Sequence, residues 1–228
     1  MTRRNQISRF MCTVIVIGTA HYVDGACTSE KLYEIIQKIN PEVVFCEASP
    51  EKLPQYLRRT DVNTPEMNVI NRLNQVEKSI EIVPVDVNED PFDQRLEAMF
   101  ELIKREMEEY LGATRMLFNE TYLKGFPFLN SVDCDKICRD KNSMEKYFIN
   151  INKMKYKGLS NFYTQWLKWN DQRENQWINL IHNYFKINKP KKAVFLVGTG
   201  HRYRLIDKIK NIEDSNKLFL DWDFFHFK

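Results

Sequence analysis

No apolar run in this chain approaches the roughly 18 residues of a membrane-spanning helix, so no contact with a membrane is expected. A secretory signal is lacking as well. The basic start, Arg3, Arg4 and Arg9, meets an apolar stretch from Met11 to Ile17 that reaches Gly18 and a histidine too soon. Charge of one sign is also missing: 34 Lys and Arg stand against 31 Asp and Glu, a net charge of +3, and the two signs alternate along most of the sequence. Nucleic acid is therefore not an expected partner, because it needs basic groups gathered on one face. The five cysteines are odd in number and form no C-x-x-C knuckle, so they read as reduced thiols of a cytoplasmic protein. Cys134 and Cys138, four apart, can share a helical face, but two thiolates do not make a structural metal site. Histidine is scarce, with four in the chain, which makes the context of each one informative.

What is present reads as one folded domain over residues 1–228. A hydrophobic fraction of 43% and a charged fraction of 29% are ordinary for a globular protein, and the length permits a core without staples. Three apolar runs rich in β-branched residues, Cys12 to Ile17, Val43 to Cys46 and Ile80 to Val85, are bounded by turn formers, as buried strands of a parallel sheet tend to be. Between the first two, Leu32, Ile35, Ile36 and Ile39 fall on one face of a helix over Ser29 to Ile39, with Ser29 as its N-cap. The middle, about 91–187, has no such run and reads as a large helical insertion, with looser structure expected from Gly125 to Asp140. The chain then returns to its opening pattern, with a strand over Lys192 to Val197, a helix over Tyr203 to Ile212 and a strand over Lys217 to Leu220. The fold class is α/β: a central, mainly parallel sheet formed by N- and C-terminal β-α-β repeats.

The two ends match in detail. "VIVIGTAH" followed by "VVFCEAS" parallels "VFLVGTGH" followed by "LFLDWD", each a strand, a Gly-Thr-x-His turn, a helix, a strand and an acidic residue, Glu47 or Asp221. Polar residues in register in both copies imply that His21 and His201 face one site on neighbouring strands. In an open parallel sheet, ligands bind beyond the carboxyl ends of the strands, where His21, His201, Glu47, Asp86 and Asp221 are expected. Gly18, Gly198 and Gly200 would permit tight turns and let a ligand approach the backbone. Two imidazoles with one or two carboxylates are also a ligand set for a divalent metal with open positions, here His21, His201 and Glu47, with Glu47 ranked above Asp86 and Asp221. His182 and His226 lack that context and read as structural.

A long helix from about Leu159 to Phe185 carries Phe162, Trp166, Trp169, Arg173, Trp177, Leu180 and Tyr184 at three-and-four spacing, so Arg173 lies inside an apolar stripe. A buried guanidinium requires an anionic partner. Glu47, Asp86, or a substrate carboxylate or developing oxyanion would serve.

"GTAH", "VVFCEAS", "VPVDV", "QRENQW" and "VGTGHR", taken in that order, resemble the TraB/GumN/Tiki group, part of a wider set of erythromycin-esterase-like and ChaN-like proteins. The resemblance spans nearly the whole chain. It implies an α/β fold with a helical insertion and, as in Tiki-like members, metal-dependent peptide hydrolysis at the sheet edge. His21 and His201 would then be metal ligands or acid/base groups, Glu47 the active-site carboxylate, and Arg173 and Asn175 a polar pair on the inserted helix.

The expected function is a metal-dependent hydrolase cleaving a peptide, amide or ester bond in a peptide or small-molecule substrate. A divalent Mn, Co or Zn ion would activate water, Asp86 or Glu47 would act as base and Arg173 would meet the oxyanion. A metal-free variant would use His21 as the base. The alternatives are a non-catalytic regulatory protein that binds a peptide, haem or metal, and a nucleotide-binding protein. For the last, "GTGHRY" opens like a dinucleotide fingerprint, but Tyr203 stands at its third glycine position.

Overall fold

The computed structural model describes residues 12–22, 25–58, 64–77, 79–86, 91–214, 220–224 and 227. His226 and the expected strand residues Lys217 to Phe219 lie outside these. The protein is α/β, with a five-stranded, all-parallel sheet in the order β3-β2-β4-β1-β5. In chain order β1 spans Cys12–Thr19, β2 Val43–Cys46, β3 Glu81–Pro84, β4 Lys192–Gly198 and β5 Leu220–Asp223. β1 and β4 are central neighbours, paired so that Gly18 lies opposite Val197 and Thr19 opposite Gly198. The two turn glycines are therefore on adjacent strands but one residue out of step.

Both faces of the sheet are covered, which explains why β1 and β4 read as continuous apolar runs. Alternate residues of each strand point to opposite sides. Ile15, Ile17, Val194 and Leu196 pack with Leu32 and Ile36 of helix α1 (Ser29–Ile39) and with Ile70 and Leu73 of α3 (Pro65–Val76). Val14, Val16 and Phe195 pack on the other side with Trp177 and Ile181 of α8 (Leu159–Asn188) and with Leu205 and Ile209 of α9 (Thr199–Asp214). A short helix, α2 (Leu53–Tyr56), follows β2.

α1 has the expected bounds, but Thr28 caps it, not Ser29. The Thr28 side chain accepts the Lys31 N–H at 3.2 Å, while the Ser29 hydroxyl accepts from Asn68 Nδ2 on α3 at 3.2 Å. The insertion forms α4 (Asp93–Glu106), α5 (Glu108–Lys124), α6 (Phe126–Leu129), α7 (Val132–Ile151) and α8. It has its own apolar cluster, including Ile103, Tyr110, Phe148 and Tyr163. The expected looseness over Gly125 to Asp140 is not found. Asn130, between α6 and α7, is buried and brackets Gly18 at the end of β1, its Oδ1 accepting the Gly18 N–H at 2.7 Å and its Nδ2 donating to the Gly18 carbonyl at 3.1 Å. α9 begins at Thr199, earlier than expected, so the second Gly-x-x-His segment runs straight into a helix. Among the described residues no helix is long and apolar enough to cross a membrane.

Candidate functional site

The carboxyl ends of β1, β4, β2 and β3, adjacent in that order, deliver His21, His201, Glu47 and Asp86 to one edge of the sheet. Glu47 is central. It follows β2 directly, in a tight turn closed by the Ala48 N–H on the Cys46 carbonyl. Its Oε2 accepts the Gly198 N–H at 2.9 Å and its Oε1 accepts from Arg173 Nη2 at 3.0 Å. His201 Nε2 stands 3.8 Å from the same Oε1. A Cβ on Gly198 would lie 3.0 Å from His21 Nε2 and 3.4 Å from Glu47 Oε2. Glycine at 198 is what lets His21 and Glu47 close over the end of β4.

Each imidazole is held from behind by a carboxylate that sequence reasoning missed. His21 Nδ1 lies 2.7 Å from Oε1 of Glu66, on the first turn of α3, and His201 Nδ1 lies 2.8 Å from Oε1 of Glu174 on α8. Such a bond fixes ring orientation and turns Nε2 away from the partner. Glu174 is 1% exposed and also has Lys208 Nζ 3.7 Å from its Oε2. The ring of Trp177 meets His201 edge-on at 5.0 Å. One signal for Glu66 existed: Thr64 caps α3 ahead of Pro65 and Glu66, marking a helix start, though not the direction it faces.

Arg173 is the link between strands. Its Nε and Nη2 donate to the two oxygens of Asp86 at 3.1 and 2.6 Å, its Nη2 also reaches Glu47, and its Nη1 donates to Asn170 Oδ1 at 3.3 Å. Trp169 and Trp177 stack near the guanidinium at 4.3 and 4.8 Å. Every guanidinium nitrogen is engaged within the protein, so Arg173 orders the carboxylates rather than offering a free fork to a substrate. Asp86 also accepts from the Trp177 indole at 3.2 Å, which leaves it poorly placed to serve as a base.

Two expected members fall elsewhere, and Gly200 sits beside His201 at the start of α9. Asn175 faces solvent and bonds to Asp171 and Lys208. Residues 170, 173, 174 and 177 share the inward face of α8, and residue 175 lies a further 100° round the helix. Asp221 lies within β5 opposite Thr13, at the amino end of β1, because pairing of β5 with Cys12 already begins at Leu220. Gly200 borders open space, where an added Cβ would meet nothing within 4 Å, whereas a Cβ at Gly18 would press Leu129 O and Thr199 Oγ1, both at 3.1 Å. None of Gly18, Gly198 and Gly200 has a positive φ, so close approach, not an unusual backbone, accounts for the first two.

Charge at the site follows from these contacts. The bond to Glu66 raises the pKa of His21 to about 9, which favours a cationic imidazole at neutral pH over the role of base. Burial alone would raise Glu47, but His201, His21, Arg173 and the Gly198 N–H together hold it below the ordinary carboxylate value. Cys46 at the end of β2 is pushed by burial up to about 12, so its thiol is protonated and inert.

The donor set fits a metal poorly. Among the described residues no three His, Cys, Asp or Glu side chains are grouped to hold an ion. Both Glu47 oxygens already accept hydrogen bonds, and the Arg173 guanidinium beside them opposes a dication. A cavity of about 260 Å³ opens over the site, lined by Thr19, His21, Glu47, Glu66, Met67 and Gly198. A second, of about 330 Å³, is lined by His201, by Thr199 and Gly200 and by residues of the helical insertion.

No family model, curated protein or solved structure matches the chain.

Proposed function

We propose that the protein is a hydrolase of amide or ester bonds working by acid/base chemistry at the sheet edge, in keeping with its resemblance to the TraB/GumN/Tiki group. The observation that carries this reading is a pair of imidazoles just beyond the ends of adjacent strands, each fixed at Nδ1 by a carboxylate, with His201 Nε2 3.8 Å from Glu47 and His21 Nε2 and Glu47 both against Gly198. His201 takes a proton from water as the oxygen attacks the substrate carbonyl. His21, cationic through its bond to Glu66, stabilises the developing oxyanion and then gives its proton to the departing nitrogen or oxygen as the C–N or C–O bond breaks. Glu47 orients the attacking water and balances both rings, and Arg173 is a positioning residue that holds Glu47 and Asp86 in place.

A panel of 4-nitrophenyl esters and fluorogenic peptides tests this with the full chain. Turnover is expected in the wild type, falling by about a hundredfold or more in His201→Ala and in His21→Ala with the circular dichroism spectrum retained. Turnover that survives both substitutions, or none from any substrate by well-folded protein, contradicts it.

A further inference from the structure

We infer that the cavity of about 330 Å³ beneath the insertion is the substrate pocket, and that it takes an aromatic or apolar group bearing an oxyanion, held by Arg204 and Lys141. This rests on the hydrolase reading, because His201 lines the same cavity and links it to the reacting centre. The volume lies near the lower end of the range for small-molecule sites. Phe100, Tyr110, Trp166 and Tyr203 supply flat apolar walls.

The charges in this cavity do not balance. Arg204 is only 18% exposed. Its Nε donates to Tyr203 Oη at 3.0 Å, and Glu174 Oε1 stands 4.0 Å from the same nitrogen. Among the described residues no acceptor meets its Nη1 or Nη2, and the side chain lines the cavity. Such a fork matches a carboxylate or phosphate. Lys141 lies 4.9 Å over the ring of Tyr110 and has no ion pair among the described residues. Burial lowers its pKa, and the nearby Glu145 offsets this only in part. The one carboxylate on the cavity wall, Glu145, is 6% exposed and already accepts from Tyr110, Tyr163 and Asn142 at 2.9, 3.1 and 3.3 Å. It cannot also satisfy both cations. Thr199 and Gly200, the first residues of the 16-residue helix α9, line the same cavity, and a helix N-terminus adds to the attraction for an anion.

Ligand-observed NMR titration of the full chain with benzoate, phenyl phosphate and the neutral benzamide tests the pocket without any need for turnover. At least one anion is expected to bind about tenfold or more tighter than benzamide, as charge-assisted bonds to a guanidinium imply. Tighter binding of benzoate assigns a carboxylate substrate and tighter binding of phenyl phosphate a phosphorylated one. The preference should vanish in Arg204→Gln and weaken in Lys141→Met, a half-exposed position where the fold is not at stake, while His21→Ala retains it. Equal binding of all three compounds to the wild type, or an anion preference that survives both Arg204→Gln and Lys141→Met, overturns the inference. Hydrolysis without anion preference would reject the pocket and keep the hydrolase, and anion preference without hydrolysis would do the reverse.

Discussion

The two Gly-x-x-His segments end adjacent strands of one sheet, yet they leave the sheet differently. The first passes from β1 into a loop, where the His21 side chain is 65% exposed and held by Glu66; the second runs directly into α9, where His201 is 19% exposed and held by a carboxylate that is 1% exposed. One chemical device, an imidazole fixed at Nδ1, is thus built once at the surface and once in the interior. Its energetic weight should differ accordingly, because an exposed pair is screened and a buried one is not. Substitutions can measure that difference.

The largest effect is expected where the two turns meet. Arg173→Ala leaves Glu47 and Asp86 buried without their cation and should cost about 3–5 kcal/mol in a denaturant melt. Arg173→Lys should recover only part, because an ammonium cannot span both carboxylates as the planar fork does. A loss in Arg173→Ala as small as that at a surface ion pair would mean that the strand ends are not joined through it.

Next in size, Glu174→Ala strips a buried partner from His201 and Lys208 and should cost about 1–3 kcal/mol. Glu66→Ala removes the partner of an exposed ring and should cost about 0–1 kcal/mol. Equal losses in the two melts would erase the contrast between an interior and a surface turn.

How far each turn could be read in advance follows the same division. The strands β1 and β2, helix α1 and the inward position of Arg173 were legible because apolar runs and three-and-four spacing are local signals. His21, His201 and Glu47 were legible because their contexts repeat or directly follow such runs. Glu66 and Glu174 were not, since what faces an imidazole depends on how distant helices pack, and nothing local distinguishes Glu174 from its neighbour Asn175 except helical phase. Asp221 misled because its strand begins where the preceding residues had promised an end, and a parallel register is not written in one strand alone. Gly125 and Pro127 look like loop formers, yet the short helix they start delivers Asn130 to Gly18.

A smaller effect concerns pH. The pKa of His21 is raised in the folded protein from 6.5 to about 9, so its pairing with Glu66 stabilises fully below about pH 6.5 and is lost as pH rises through about 9. Solvent screening of this exposed ring keeps the contribution modest. An NMR titration should place the His21 midpoint well above that of a free imidazole, and Glu66→Gln should bring it back down. An unshifted wild-type midpoint would remove the cationic role assigned to the surface turn. The smallest effect expected is from metal: dialysis against a chelator should leave both thermal stability and turnover unchanged, and a loss restored by Mn²⁺, Co²⁺ or Zn²⁺ would show that the two turns close around an ion after all.

The central claim, that two unlike turns form one working site, is tested most directly by a double-mutant cycle on turnover of an ester or peptide substrate. His21→Ala, His201→Ala and the double variant are compared with wild type under saturating and limiting substrate. Residues acting on one transition state lose activity non-additively, so the double variant should be little worse than the more damaged single one. Losses that multiply across the cycle would mean that His21 and His201 act independently, and the shared site would be contradicted.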